Sequence, residues 1–435
     1  MFKKNEPPII ISVGGSLIVP NGGINTKFLS SFNRFIRKYV AQGKRFFLVA
    51  GGGKIARHYR DGAKAVVGNI TDEDLDWLAI HTTRVNAHLL RTIFRDIAHP
   101  RIIENYNKKL FRWKEPVVIG AGWKPGWSTD YDAVILARDY GGKTIINLSN
   151  TYWVYDKDPK KFKDAKPIEK ITWEEMEKIV GDRWTPGLST PFDPIATKLA
   201  KNLKLTVITT NGTDFRNLER LMDGDSFKGT VIMPYRIDAS FYDRAYYKGK
   251  KGEYRFNIFD DLTNFYRALM IKIFLKPKNA LDVGCGTGKL VFWLRFFGID
   301  AFGIEISKDA LELADKKIKP FLKSGDITKI PYAENNFDLV LTYDVLEHIE
   351  RSKIKKAISE TIRVSKRYIF HKIYTQENQW INLTHGDDFS HISVFSKKYW
   401  QKIFSAFNDV VVLKRSIFHL PSFFETIFLL KKKAA

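Results

Sequence analysis

From Ile9 onward, short apolar runs alternate with longer amphipathic stretches. IIISV, RFFLVA, PVVIGA, KTIINLSN and KLTVITT have the length and continuity of strands buried on both faces. Between them, apolar residues recur at three- and four-residue spacing over 25–42, 72–98, 132–140 and 193–202, which predicts helices. Strand followed by helix, repeated, predicts an α/β domain with a largely parallel sheet, closed by KGTVIMP near Met233. A second series follows. NALDVG, DAFGIE, FDLVLTY, KRYIFH, VVVLKR and TIFLLKK read as strands, and 288–297, 308–317 and 352–365 as helices. The Tyr-, Arg- and Lys-rich stretch between the series places a boundary there. The expected division is 1–233, a linker or lid over 234–261, and 262–435.

A length of 435 residues fits that division, because single cores stop growing near ~250–300 residues. One cysteine, Cys285, excludes an internal disulfide and a thiolate zinc cage, which predicts a reducing compartment. Pro7 and Pro8 interrupt the first apolar run, and no uninterrupted apolar stretch approaches the ~18 residues of a spanning helix. The expectation is a cytoplasmic protein with no signal peptide and no membrane span. The net charge of +23 invites a nucleic-acid partner, but it divides into +12 before residue 234 and +11 after it. That even spread argues against nucleic acid and for anionic small molecules.

Glycine clusters follow three strands of the first series: Gly14, Gly15 and Ser16; Gly51, Gly52 and Gly53; Gly120 and Gly122. At the carboxyl edge of a parallel sheet, such loops let backbone N–H groups approach phosphate oxygens. Lys54 and Arg57 follow the triple glycine, while Asp193 and Lys198 open another helix. Cations and backbone amides of this kind suffice for phosphoryl transfer, which needs positioning and charge neutralisation. Walker-type and protein-kinase motifs are missing. The histidines at 58, 81, 88 and 99 lack metal-ligand spacing and read as structural.

These residues carry a resemblance. GGS at 14–16, GGGKIARHY at 51–59, HTTRVNAHLL at 81–90, STDYDAVILA at 128–137, VYDKDPKKFKDAKPI at 154–168 and FDPIATKLAKNLKLTVI at 192–208 resemble the amino acid kinase superfamily, and within it the archaeal-type uridylate (UMP) kinases. The resemblance implies a three-layer αβα sandwich, ATP-Mg as donor, a UMP-like acceptor and a homo-oligomer. It puts Gly14, Gly15 and Ser16 at the transferred phosphate, and Gly52, Gly53 and Arg57 at the acceptor phosphate. It further puts Asp76 at the acceptor ribose and Ser128 and Thr129 at the acceptor. Asn150 falls in the donor-side segment, Tyr155 near adenine and Asp158 beside the donor. Asp193 organises the catalytic lysines or metal, and Lys54 and Lys198 supply charge. Tyr152 and Trp153 depart from the family's N-V-D-G-V-Y pattern, and STDYDAV leans toward the aspartate-kinase branch. Two alternatives therefore stand beside UMP phosphorylation: another small acceptor, or a nucleotide-binding domain without catalysis.

In the second series, LDVGCGTGKL at 281–290 is a strand opening onto Gly284, Gly286 and Gly288, with a spacing other than the dinucleotide GxGxxG. Glu305 ends the next strand, where a carboxylate reaches ribose hydroxyls. With FDLVLTYDVLEHI at 337–349, the set resembles a class I S-adenosylmethionine-dependent methyltransferase, which implies a Rossmann-like seven-stranded sheet. Asp282, Gly284, Gly286, Glu305, Asp326 and Ile327 are then cofactor residues, and Asp344 and His348 lie on the acceptor side. Methyl transfer needs alignment more than acid–base groups, so His348, His371, His385 and His391 are optional bases and no metal ligand is assigned. The methyl acceptor, a small molecule, lipid or glycan, stays open.

Overall fold

The computed structural model describes residues 7–21, 23–159, 161–183, 190–223, 225–236, 239–247, 258–375, 390–413 and 426–433. The chain divides into two compact units, Met1–Arg236 and Ile237–Ala435.

The first unit contains β1 (Ile9–Val13), β2 (Phe46–Ala50), β3 (Val117–Gly120), β4 (Thr144–Ser149), β5 (Val154–Tyr155), β6 (Pro167–Ile168), β7 (Lys170–Thr172), β8 (Thr206–Asn211) and β9 (Thr230–Met233). Seven of them form one sheet in the order β3-β2-β1-β4-β8-β9-β7, and β5 and β6 form a separate hairpin. β3 through β8 run parallel in that order, and β9 is antiparallel to β8. Alternate residues of each strand serve opposite layers. Ile11, Val13, Phe46, Leu48 and Ala50 pack with Phe28, Phe32 and Phe35 of helix Thr26–Ala41 and with Ala87 and Leu90 of helix Asp72–Ile93. Ile10, Phe47, Val49 and Val118 pack instead with Ala133–Ala137 of helix Thr129–Tyr140, Trp173 and Ala196. Covering both faces is what makes these strands continuous apolar runs, and it yields three layers.

The second unit contains β10 (Asn279–Val283), β11 (Asp300–Glu305), β12 (Leu322–Ser324), β13 (Phe337–Tyr343), β14 (Ser365–Ile373), β15 (Val410–Val412) and β16 (Thr426–Lys432). Their order is β12-β11-β10-β13-β14-β16-β15, parallel except for β16 against β14 and β15. Leu281 and Val283 face the layer of helices Arg351–Val364 and Lys397–Ser405. Ala280 faces that of helices Ile258–Phe274 and Lys289–Phe296.

Three helix expectations shift at their ends. Helix Asp72–Ile93 stops before 98 because Ala98 bridges in parallel to Val117 and His99 donates to the Val117 carbonyl. The helix expected over 308–317 ends at Leu313, where Ala314 turns extended and Asp315 accepts from the Lys317 amide. Helix Thr129–Tyr140 starts earlier than expected because Ser128 caps it, accepting from the Tyr131 amide. Part of the 234–261 stretch is integral to the second unit. The Tyr242 carbonyl accepts from Ser307 Oγ, the Arg244 amide donates to Asp309 at 2.9 Å, and helix Ile258–Phe274 begins inside it.

Candidate active sites

In both sheets the connections reverse direction beside one central strand, β1 and β10 respectively. The crevice at such a switch point, at the carboxyl ends of the strands, is where open α/β sheets bind ligands.

At the end of β1 and β2 the two glycine loops touch backbone to backbone. The Gly14 amide donates to Leu148 O at 2.9 Å and the Gly51 amide to Val13 O at 2.9 Å. A Cβ on Gly15 would stand 2.0 Å from Gly53 N, and one on Gly51 would stand 2.5 Å from Gly15 N. Gly53 also takes φ of +73°, a backbone that side chains other than glycine rarely adopt. The loops form one saddle with no side chains between them. Buried Asn86 holds it from below, donating to Gly51 O at 2.8 Å and to Gly52 O at 3.3 Å. Lys54 and Arg57 are exposed on the opening turns of helix Gly53–Val66, which starts at the saddle.

A carboxylate cluster gathers around Ser12, which lies on β1 two residues before Gly14. Ser12 Oγ, on β1, donates to Asp130 at 3.2 Å, and the Asp193 amide donates to the other Asp130 oxygen at 3.3 Å. Ser128 Oγ donates to Asp193, which also caps helix Pro194–Asn202 by accepting from the Ile195 amide at 2.7 Å. Withdrawal from water and the adjacent Asp193 push the Asp130 carboxyl up to about 7, and burial raises Asp193 as well. Two acids that resist ionising together are poised to release a proton to a cation. Lys198 is exposed one turn into the Asp193 helix. Sequence reasoning missed Ser12 and Asp130, although a serine inside an apolar strand and a second acid in STDYDA were available signals. It also missed Asp132, which is fully buried and has neither oxygen hydrogen-bonded among the described residues.

Helix Asp72–Ile93 shapes the third loop. Asp76 is buried and accepts from the Gly126 amide at 2.8 Å, Thr83 Oγ1 accepts from the Gly122 amide at 2.7 Å, and Arg84 donates to Gly122 O and Trp123 O. The residues Gly14–Ser16, Gly52, Gly53, Ser128, Thr129 and Asp193 thus come from loops on one sheet edge. Asn150 follows β4 on that edge, and its carbonyl accepts from Asn211 at 3.5 Å. Tyr155 belongs to the β5–β6 hairpin, and exposed Asp158 to the turn that joins its strands. Tyr152 is pinned by donating to Asp214 at 2.9 Å.

In the second unit, Gly284, Gly286 and Gly288 all take positive φ. Glu305 accepts from the Gly286 amide and the Ser307 amide, each at 2.9 Å, so it is fixed beside the glycine loop. Asp282 is buried at the end of β10, and burial together with Glu305 pushes its carboxyl up to about 7. Asp326 is exposed after β12, where it accepts from the Thr328 amide at 2.7 Å, and Ile327 is buried in the core beneath it. Burial pushes the Cys285 thiol up, which leaves it a small apolar group rather than a nucleophile. After β13, a Cβ on Gly284 would lie 2.6 Å from Val345 Cγ2, so this loop borders the glycine loop. Asp344 is bound by Lys372 Nζ at 2.5 Å to each oxygen. His348 Nδ1 lies 3.1 Å from Ser390 O. His385 falls outside the described residues.

Comparison with known proteins assigns both halves. Residues 7–211 match the amino acid kinase family, and residues 281–368 match a methyltransferase domain. The uridylate kinase of Methanobrevibacter smithii is 31% identical over 226 residues, covering 52% of this chain and 98% of that protein. That of Sulfolobus acidocaldarius is 32% identical over 216 residues, covering 48% and 93%. The solved uridylate kinase from Archaeoglobus fulgidus is 29% identical, covers 52% of this chain and 99% of its own, and superposes with a TM-score of 0.44. The chain therefore belongs to the amino acid kinase family through its first unit, where its relatives are archaeal uridylate kinases, and carries a class I methyltransferase domain in its second.

Proposed function

We propose that the first unit transfers the terminal phosphoryl group of ATP-Mg to a nucleoside monophosphate, UMP, within pyrimidine nucleotide metabolism. The second unit, on the same reading, methylates a small-molecule, lipid or glycan hydroxyl or amine with S-adenosylmethionine, in a cytoplasmic homo-oligomer. The observation that carries the first half is the side-chain-free saddle at the end of β1, the strand whose Ser12 joins the Asp130–Asp193 cluster. The saddle suits phosphate, because Gly14, Gly15, Gly52 and Gly53 carry no side chain to cover their backbone amides, and a Cβ on any of them would collide with neighbouring protein atoms and push the loops apart. Arg57 and Lys54 add positive charge beside it. Asp130 and Asp193 fit a hydrated magnesium ion, which keeps waters and takes one or two carboxylates. Lys198 then neutralises charge on the transferred group. In the second unit, Glu305 and the positive-φ glycine loop fit an adenosine ribose and its chain, with Asp282, Asp326 and Ile327 around them.

The full chain, assayed for ADP release from ATP-Mg across nucleoside monophosphates, is expected to turn over UMP. Turnover of a different acceptor instead removes the UMP assignment. Pinned Tyr152 and its neighbour Trp153 favour a second reading, a nucleotide-binding domain without catalysis. Nucleotide binding with no turnover of any acceptor selects that reading.

A further inference from the structure

One group of side chains in the second unit is used by neither reading. The short turn Leu346–His348 after β13 carries Glu347 into the interior, where its residue is 0% exposed. Glu347 Oε1 accepts from the Tyr374 amide at 2.7 Å, but buried Oε2 has no hydrogen-bond partner among the described residues. A carboxylate oxygen left so costs several kcal/mol unless a cation or proton meets it. Lys372 is held by both oxygens of Asp344. Two imidazoles converge on the same place. The rings of His348 and His391 are 4.7 Å apart, and His391 stacks on Tyr374 at 4.7 Å. His348 Nδ1 lies 3.1 Å from the Ser390 carbonyl and 2.8 Å from Ser390 Oγ, so Ser390 fixes the ring through this nitrogen in either tautomer. A histidine whose far nitrogen is fixed by a backbone carbonyl is the usual support of a metal ligand. One ligand atom each from Glu347, His348 and His391 lies within 4.8 Å of the others, a group found among the described residues. Bonds of ~2.0–2.1 Å to one tetrahedral ion would set such atoms roughly 3.4 Å apart, a closure within reach of side-chain rotation.

We propose that Glu347, His348 and His391 form a three-ligand site for a divalent first-row transition ion of the zinc class, open toward the methyl acceptor. Two imidazoles and one carboxylate select such an ion over magnesium or calcium, and three protein ligands leave a position for an exogenous oxygen. The site adjoins the cofactor loop, because Val345 separates Asp344 from this turn and packs where a Cβ on Gly284 would stand. An acceptor hydroxyl in the open position loses its proton to solvent more readily. Its oxygen then forms the new O–CH3 bond as the S–CH3 bond breaks, the electron pair returning to sulfur and the sulfonium becoming a neutral thioether. This rests on the methyltransferase reading of the second unit.

The test titrates the full metal-stripped chain with cobalt(II), followed by visible absorption, and separately with S-adenosylmethionine by calorimetry. One equivalent of cobalt, displaced by zinc, is expected. His391→Ala and Glu347→Gln should each weaken it by more than ~100-fold, beyond the ~10–100-fold of outer-shell changes. His58→Ala, on the exposed face of the first unit, should leave it unchanged. Glu347→Gln keeps an acceptor for the Tyr374 amide, and partly exposed His391 is replaced with little structural cost, so at least one variant folds. No tight cobalt site, or one indifferent to His391, overturns the proposal. If S-adenosylmethionine still binds, the methyltransferase reading survives that failure; if it does not, the reading itself has failed.

Discussion

Gly15→Ala places one methyl group where the two phosphate loops meet. The new Cβ would stand 2.0 Å from Gly53 N and 2.6 Å from Gly51 C, all backbone atoms, whereas ordinary contact begins at 3.4 Å. The loop after β2 must retreat by about 1.4 Å, the difference between those two distances. It is not free to do so. The Gly51 amide is tied to Val13 O at 2.9 Å, the Lys54 amide to Val19 O at 3.2 Å, and Gly51 O to Asn86 at 2.8 Å. Overpacking of this kind costs about 1–3 kcal/mol, so the first unit should melt several degrees lower yet still fold. Function should suffer more, because a ~1 Å misplacement of bound groups costs on the order of 100-fold in rate. The expected result is a fall of at least ~100-fold in kcat/KM for ADP release with ATP-Mg and UMP. Calorimetric S-adenosylmethionine binding to the second unit is the internal control and should not change. Gly62→Ala, in helix Gly53–Val66 with open space around its Cβ, should keep full activity and gain up to ~1 kcal/mol of helix stability. A folded Gly15→Ala protein with wild-type kinetics would refute the saddle as the phosphate site.

Other outcomes can be read independently. Asp130, raised to about 7, should release up to about half a proton near pH 7 when Mg-nucleotide binds, so the binding enthalpy should scale with buffer ionisation enthalpy; Asp130→Asn should abolish that dependence, and identical enthalpies in all buffers for the parent protein would remove the proton from the site. Asp132, held well above the usual carboxylate range by burial, stays protonated when folded and ionises when unfolded. Its contribution is complete below pH ~3.9 and falls by about 1.4 kcal/mol per pH unit above that, until the folded group itself ionises. Asp132→Val should therefore gain stability over the parent progressively as pH rises above ~3.9 in thermal melts, and a pH-independent difference would contradict the assignment. Glu305→Ala removes a carboxylate fixed by two amides and should weaken S-adenosylmethionine by on the order of 10–100-fold, from one or two charge-assisted hydrogen bonds.

Much of the fold is legible in apolar periodicity. IIISV, FFLVA and FDLVLTY become β1, β2 and β13 because a strand covered on both faces has no polar positions to spare. Helix ends were less legible. Asp72–Ile93 ends where Ala98 joins the sheet edge, a non-local event that no local pattern records. The glycine-rich loops, the Glu305 carboxylate and the Asp193 cap were readable because their chemistry is written in consecutive residues.

The sequence by itself determined two α/β series, their glycine loops at strand ends and the residue types that meet phosphate and adenosine, since backbone conformation and burial pattern are local properties. Tertiary structure alone decided which distant groups share a space. Ser12 and Asp130 meet across β1 and a helix N-terminus, Gly15 lies against Gly53, and His391 reaches Glu347 and His348 from beyond β14. Such pairings are set by strand order and packing, and strand order follows from how the whole chain closes its core rather than from any segment of it.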